Sequence, residues 1–217
     1  MGGGVTVRAP RALRKAVGRE LSAVLGAAAA DHVIARVDTA YEPLVAQIPD
    51  ANRGARHLLR IGAYSIALYR SLTDEQIATQ PATELVSDAV FAAIRPGRDM
   101  LTRLGRLRHR DRLRAARWSS DLARRFYYAE PGWRIREVAV DDGFGMDITR
   151  CVIAEYFDQL GEAELCQRVI CHQDVRSAEH HGITLVRSGT LAGGADRCDF
   201  RYHVPPDTAP HLSLIHI

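Results

Sequence analysis

The chain contains almost no lysine. Of its 217 residues only Lys15 is a lysine, so nearly every basic side chain is an arginine. A GC-rich coding sequence accounts for this bias, because the planar guanidinium group is a functional advantage only at particular sites. The formal net charge is +3. A charge this small does not require a nucleic-acid partner, and we expect none.

Long apolar runs are missing as well. The segment from Leu21 to Ala30 is apolar but is closed by Asp31 and His32, so it is too short to cross a bilayer. The start, Met1 to Val5, is glycine-rich and lacks the pattern of a secretory signal. Hydrophobic residues make up 47% of the chain and charged residues 25%, the mixture of an ordinary globular protein. We therefore expect a cytoplasmic protein without a membrane partner.

Cysteine is scarce, and no CxxC pair occurs. All four cysteines lie in the last third of the chain, and their spacing matches no standard zinc pattern. A small disulfide-bonded scaffold would spread its cysteines through a shorter chain. Reduced thiols with a catalytic, metal-binding or core role are therefore expected at Cys151, Cys166, Cys171 and Cys198.

Residues 1–130 are predicted to be a helical region. Asn52 is a helix-capping residue ahead of apolar positions at helical spacing, and Thr73 precedes acidic residues as a second N-cap would. Pro96-Gly97 predicts a helix end. The arginine-rich stretch Met100 to Tyr128 carries leucines at spacings that bury one face, so we interpret its arginines as a solvated surface.

Residues 131–204 change to strand and helix patterns in the order β-β-α-α-β-β. Segregated helices and strands predict an α+β fold, with a helical N-terminal half packed on a small antiparallel sheet. The two regions are expected to form one folded unit. Residues 205–217 are an irregular tail, and Leu212 to Ile217 fits no element, as an appendage would.

Three cysteines lie beside polar residues in this second region. Cys151 falls at a strand-to-helix junction, where a helix N-terminus lowers a thiol pKa. Cys171 and Asp174 share a helix face. Cys198 lies in the last strand, opposite in direction to Asp199. We predict that thiols from these three elements line one cavity.

Two other interpretations of the cysteines stay open. A buried free cysteine is most often a small core residue, and Cys166, on an apolar stripe, is expected to be one. If a metal is present, its ligands would be Cys151, Cys171 and Cys198 with a carboxylate. No cofactor is otherwise expected, and zinc is the alternative.

Several motifs together resemble one family. They are Met146-Asp-Ile-Thr-Arg-Cys151, Ala154-Glu-Tyr-Phe157, Ile170-Cys-His-Gln-Asp174, and Arg187-Ser-Gly-Thr-Leu-Ala-Gly193 leading to Cys198-Asp-Phe200. The chain from Asn52 to Tyr202 resembles the L-2-amino-thiazoline-4-carboxylic acid hydrolases. Val152 stands where that family is expected to have proline, and His172-Gln173 also departs from its pattern.

The resemblance implies a hydrolase that opens the C–N bond of a cyclic amidine in a small heterocyclic carboxylic acid. Under it Cys171 or Cys151 would attack the ring carbon, with Cys198 in the same site, and Asp174 would transfer protons. A metal-bound hydroxide is the other route. Arg150 or Arg187 would bind the substrate carboxylate, and Asp199 and Thr190 would be further substrate-binding residues.

A second class of protein fits some of the same residues. The ending around Cys198-Asp-Phe200 also resembles the small-molecule sensor domains of the 4-vinyl reductase type. In that case the cavity would bind a small ligand or a zinc ion without breaking a bond. Either way the expected partner is a small molecule, and a homo-oligomer is compatible with both.

Overall fold

A computed structural model describes residues 9–204 of the chain. In the described part of the first region there are five helices: α1 (Arg11–Leu25), α2 (Ala27–Ala46), α3 (Arg53–Asp74), α4 (Thr79–Arg108) and α5 (Arg112–Phe126). Asn52 caps α3 by accepting a hydrogen bond from the Ala55 amide at 2.9 Å, which confirms the predicted start. The predicted tail, including Leu212 to Ile217, lies outside the described residues.

Two predicted helix boundaries are wrong. Helix α3 continues past Thr73, and α4 passes through Pro96 and Gly97 for a further eleven residues. Proline inside a helix costs about 3 kcal/mol because it removes a hydrogen bond and crowds the preceding turn. Packing offsets that cost, because α4 packs against both α1 and α5.

The arginine-rich stretch differs in part from its prediction. Leu104 and Leu107 were expected to be buried, yet they are 43% and 86% exposed. The close approach of α4 to α5 occurs instead at Gly105, where a Cβ atom would lie 2.6 Å from the Ala115 carbonyl oxygen. Small residues therefore form this contact, and these two leucines face outward.

Four antiparallel strands follow: β1 (Trp133–Val138), β2 (Gly143–Cys151), β3 (Thr184–Val186) and β4 (Cys198–His203). Their order in the sheet is β1-β2-β4-β3, with β1 and β2 paired as neighbours in the predicted hairpin. The α+β prediction is confirmed. Strand β3 is short and ends at Val186.

The helices between β2 and β3 depart from a simple pair. Helix α6 (Val152–Gln159) is followed by α7 (Ala163–Leu165), a π-helical turn (Cys166–Cys171) and α8 (His172–His180). A short 3₁₀ turn (Leu191–Gly193) precedes β4. Phe157 of α6 packs so closely on Gly62 of α3 that a Cβ atom there would lie 2.7 Å from its ring. This contact joins the helical region to the second region.

A buried carboxylate holds three arginines on the outer face of the sheet. The Asp147 side chain is only 4% exposed. It accepts hydrogen bonds from Arg201 at 2.8 Å and Arg136 at 3.2 Å, and Arg197 lies 3.6 Å away. The hydrogen bond from Arg201, with help from the other arginines, lowers the pKa of Asp147. The carboxylate is therefore stabilised in its charged form by the fold.

Asp147→Asn is expected to lower the free energy of unfolding by about 2 kcal/mol at pH 7, because it weakens several charge-assisted hydrogen bonds. The folded-state pKa is depressed below the unfolded value of about 3.9. The contribution of the charged Asp147 carboxylate to the free energy of unfolding is thus complete above that pH. It is lost as the pH falls through the folded-state pKa.

Urea unfolding from pH 7 to pH 3 measures this effect. The difference between wild type and Asp147→Asn should shrink in acid. Asp142→Asn, at an exposed turn position, removes the same charge and should change stability by less than about 0.5 kcal/mol. Equal effects of the two substitutions would contradict the assignment.

Candidate active site

A cavity of about 910 Å³ lies between helices α3 to α5 and the sheet, with α8 and the π-helical turn on a further side. Apolar side chains such as Ile61, Val90 and Phe200 form much of its wall. All four cysteines also line it, together with Asp174 and Arg187. The fold thus brings thiols from the end of β2, the π-helical turn and β4 to one space. An apolar cavity with a few converging polar groups is typical of a small-molecule site.

The π-helical turn decides which thiols meet. Cys166 and Cys171 are five residues apart, a spacing that puts them about 140° apart on an α-helix. In a π-helix residues five apart are linked by hydrogen bonds and lie over each other. Cys166 was expected to be a plain core residue. Here its buried thiol also lies in hydrogen-bonding reach of Cys171.

Cys171 is the thiol whose ionisation the site favours. A hydrogen bond from Cys166 lowers the pKa of Cys171, and the nearby Arg187 guanidinium acts in the same direction. Burial and the Asp174 carboxylate oppose this change. Cys166 is fully buried, whereas Cys171 is partly exposed and lies beside Arg187, so a negative charge is better compensated on Cys171. Cys171 is consequently the member of the pair suited to be a thiolate.

The other two thiols are held neutral. Burial raises the pKa of Cys151 to about 12 and that of Cys198 to about 11. Cys151 does lie at the N-terminus of α6, but the expected lowering of its pKa is wrong, since burial outweighs the amide groups of the first turn. Cys198 accepts a hydrogen bond from the Leu191 amide at 3.2 Å.

Two arginines flank the Asp174 carboxylate. Arg98 of α4 donates to Asp174 at 3.2 Å and to the Gln173 carbonyl oxygen at 3.1 Å. Arg187 donates from Nη2 to the Cys171 carbonyl oxygen at 3.2 Å. Its Nη1 is buried without a hydrogen bond and lies 4.0 Å from Asp174. A buried donor with this much unused capacity is suited to an anionic ligand group.

Two tyrosines and one amide complete the polar part of the cavity. Burial raises the pKa of both Tyr128 and Tyr202, so their hydroxyls stay neutral hydrogen-bond donors. Gln173 is almost fully buried and donates to the Ser87 and Val169 carbonyl oxygens at 3.1 and 2.7 Å. Its Oε1 has no hydrogen-bond partner.

Sequence reasoning missed Arg98, Tyr128 and Tyr202. The signal for Arg98 was hidden because Pro96-Gly97 predicted a helix end just before it. With α4 unbroken, Arg98 instead projects from a helix onto the cavity. The tyrosines come from the segment after α5 and from β4, and no spacing in the sequence indicates their meeting.

The remaining predicted substrate-binding residues lie elsewhere. Arg150 pairs with Glu155 at 2.9 Å and donates to the Pro131 carbonyl oxygen at 2.7 Å, outside the cavity lining. Asp199 accepts hydrogen bonds from Ser188 and Gly189. Thr190 caps the 3₁₀ turn by accepting from the Gly193 amide at 3.0 Å. These three side chains are occupied in supporting loops around the site.

The three cysteine sulfurs of the metal set predicted from sequence are not close enough together here to form a preassembled zinc site. Tetrahedral zinc with sulfur at about 2.3 Å holds its sulfurs about 3.8 Å apart. Within residues 9–204, the ligand atoms of Cys151, Cys171 and Cys198 are not all within 4.8 Å of one another. The sulfurs would have to move closer together to bind one such ion, and the metal set stays a prediction.

Comparison with known proteins identifies the class. A family model described as L-2-amino-thiazoline-4-carboxylic acid hydrolase matches residues 56–202, more than half of the chain. The chain therefore belongs to this family, and the family description makes it a hydrolase. The matched range contains all of the polar cavity residues described above: Arg98, Tyr128, Gln173, Asp174, Arg187 and Tyr202. No curated protein and no solved structure matches the chain.

No helix within the described part of the chain is long and apolar enough to cross a membrane.

Proposed function

We propose that the chain hydrolyses a small cyclic amidine that carries a carboxylate, with L-2-amino-thiazoline-4-carboxylic acid as the first candidate, by breaking the ring C–N bond. One observation carries the proposal. Cys171 is partly exposed, lies beside the Arg187 guanidinium and shares the cavity with Asp174, and among residues 9–204 the Arg187 Nη1 atom is buried without a hydrogen-bond partner. Nucleophile, proton carrier and carboxylate anchor therefore lie together.

Binding uses the charges already in place. Arg187 offers Nη1 to the substrate carboxylate, because this nitrogen makes no hydrogen bond with any of residues 9–204. Asp174 offers its carboxylate to the cationic amidine, since opposite charges attract strongly in a site of low dielectric. Cys151 and Cys198 stay neutral and shape the wall beside the ring.

Bond breaking follows in two stages. The Cys171 thiolate attacks the carbon between the ring sulfur and nitrogen and forms a new C–S bond. Asp174 relays a proton from the exocyclic amino group to the ring nitrogen, and the ring C–N bond breaks. Water then adds to the same carbon. As it adds, one water proton goes to the exocyclic nitrogen. Asp174 then relays the remaining hydroxyl proton to the freed amine while the bond to Cys171 breaks, which releases the thiolate and a carbamoyl-cysteine product.

The direct test is turnover of the thiazoline followed by mass spectrometry, with and without a metal chelator. The thiolate route predicts a product heavier than substrate by one water, formed equally well in chelator, and a covalent adduct on the Cys171 peptide after rapid quenching. Loss of product in chelator, with no Cys171 adduct in either buffer, would favour a metal-bound hydroxide. Ligand binding without product in either buffer would favour the sensor class.

A further inference from the structure

A second cluster of ligating side chains lies away from the thiols. Asp99 of α4 faces the last residue of α8, His180, and the next residue, His181. The Nε2 atoms of both histidines are 3.0 Å from the same oxygen, Asp99 Oδ1. This is the only group of three His, Cys, Asp or Glu ligand atoms within 4.8 Å of one another among residues 9–204.

The backbone determines the tautomer of one ring. His181 Nδ1 is 2.7 Å from the Ser177 carbonyl oxygen, and a carbonyl oxygen only accepts hydrogen bonds. Nδ1 therefore carries the hydrogen. In the neutral ring Nε2 then has a lone pair, and this lone pair points at the Asp99 carboxylate, another acceptor. The contact needs either a second proton on the ring or a cation between the two atoms.

We propose that Asp99, His180 and His181 bind one divalent transition-metal ion of the zinc class. A single ion between two imidazole nitrogens and a carboxylate oxygen would satisfy all three atoms, and neutral imidazole with carboxylate is a usual ligand set for such ions. The hydrogen bond from His181 Nδ1 to a backbone carbonyl is the orienting contact that metal-binding histidines typically have. Water would fill the remaining position.

This ion would join α4 and α8, the helices that carry Arg98 and Asp174 at the cavity. Asp99 directly follows Arg98, which holds Asp174, and His181 itself lines the cavity. Seven residues separate Asp174 from His181, about 10 Å along a helix. The ion is thus too far away for the Cys171 thiol to be one of its ligands. Its effect would be to fix α4 against α8.

The test measures zinc alone binding to the full chain after chelator treatment, by isothermal titration calorimetry with metal analysis. Wild type should bind one equivalent. His181→Ala and Asp99→Asn should each weaken binding at least tenfold. Cys171→Ala should bind like wild type, which separates this site from the thiols. His172→Ala, an exposed position at the other end of α8, is the matched control.

Nitrogen NMR of the histidine rings in wild type gives a readout that needs no variant. Zinc should shift the Nε2 signals of two histidines and leave their Nδ1 atoms protonated. The proposal is overturned if wild type binds no stoichiometric zinc, if binding survives both His181→Ala and Asp99→Asn, or if Cys171→Ala abolishes it.

Discussion

Cys171→Ala is expected to lower kcat/KM for the thiazoline by about 10³-fold or more, because it removes the nucleophile on which the covalent route depends. The fold should tolerate the change, since Cys171 is only partly buried and alanine is smaller. Steady-state kinetics with product detection by mass spectrometry measures the effect.

The matched control is Cys198→Ala in the same cavity. Burial holds that thiol neutral, so its removal should cost less than about tenfold in kcat/KM. Alkylation gives an independent measure. The lowered pKa of Cys171 makes it the thiol with the largest thiolate fraction at pH 7, so iodoacetamide should label its peptide before those of Cys151 and Cys198. Equal labelling, or full activity in Cys171→Ala, would contradict the thiolate mechanism.

Arg187→Gln is expected to lower kcat/KM by about 10- to 100-fold, because it removes a charge-assisted hydrogen bond to the substrate carboxylate. Most of the loss should appear in KM if Arg187 only binds the carboxylate. A fall in kcat together with slower alkylation of Cys171 would show that the guanidinium also favours the thiolate.

The chain supplies a second arginine for comparison. Arg150 was the other carboxylate anchor predicted from sequence, and it is instead paired with Glu155 away from the cavity. Arg150→Gln should leave kcat and KM within about twofold of wild type. Were Arg150→Gln to raise KM and Arg187→Gln not, the placement of the substrate in this cavity would be wrong.

The local signals in the chain were enough for the fold class. Periodicity changes near Pro131-Gly132, and the alternating residues of β2 pair with β4 so that Met146 lies opposite Phe200. Capping chemistry located the start of α3 at Asn52. These features are local, and hydrophobic period and caps report local structure well.

Tertiary packing overruled local signals at the site. Pro96 and Gly97 are helix-breaking residues, yet contacts with α1 and α5 keep α4 intact and bring Arg98 to Asp174. The π-helical turn, which brings Cys166 over Cys171, leaves no periodic mark in the sequence. Burial rather than position at a helix N-terminus determines the ionisation of Cys151.

The sequence alone thus determined which chemical groups this protein has, because residue type and spacing are written along the chain: thiols, a carboxylate and arginines in the motifs of one family. Only the tertiary structure decided which thiol lies beside an arginine, which arginine faces the cavity and which two histidines meet one carboxylate. Ionisation and hydrogen-bond occupancy depend on neighbours distant in the chain, whose positions are determined by packing.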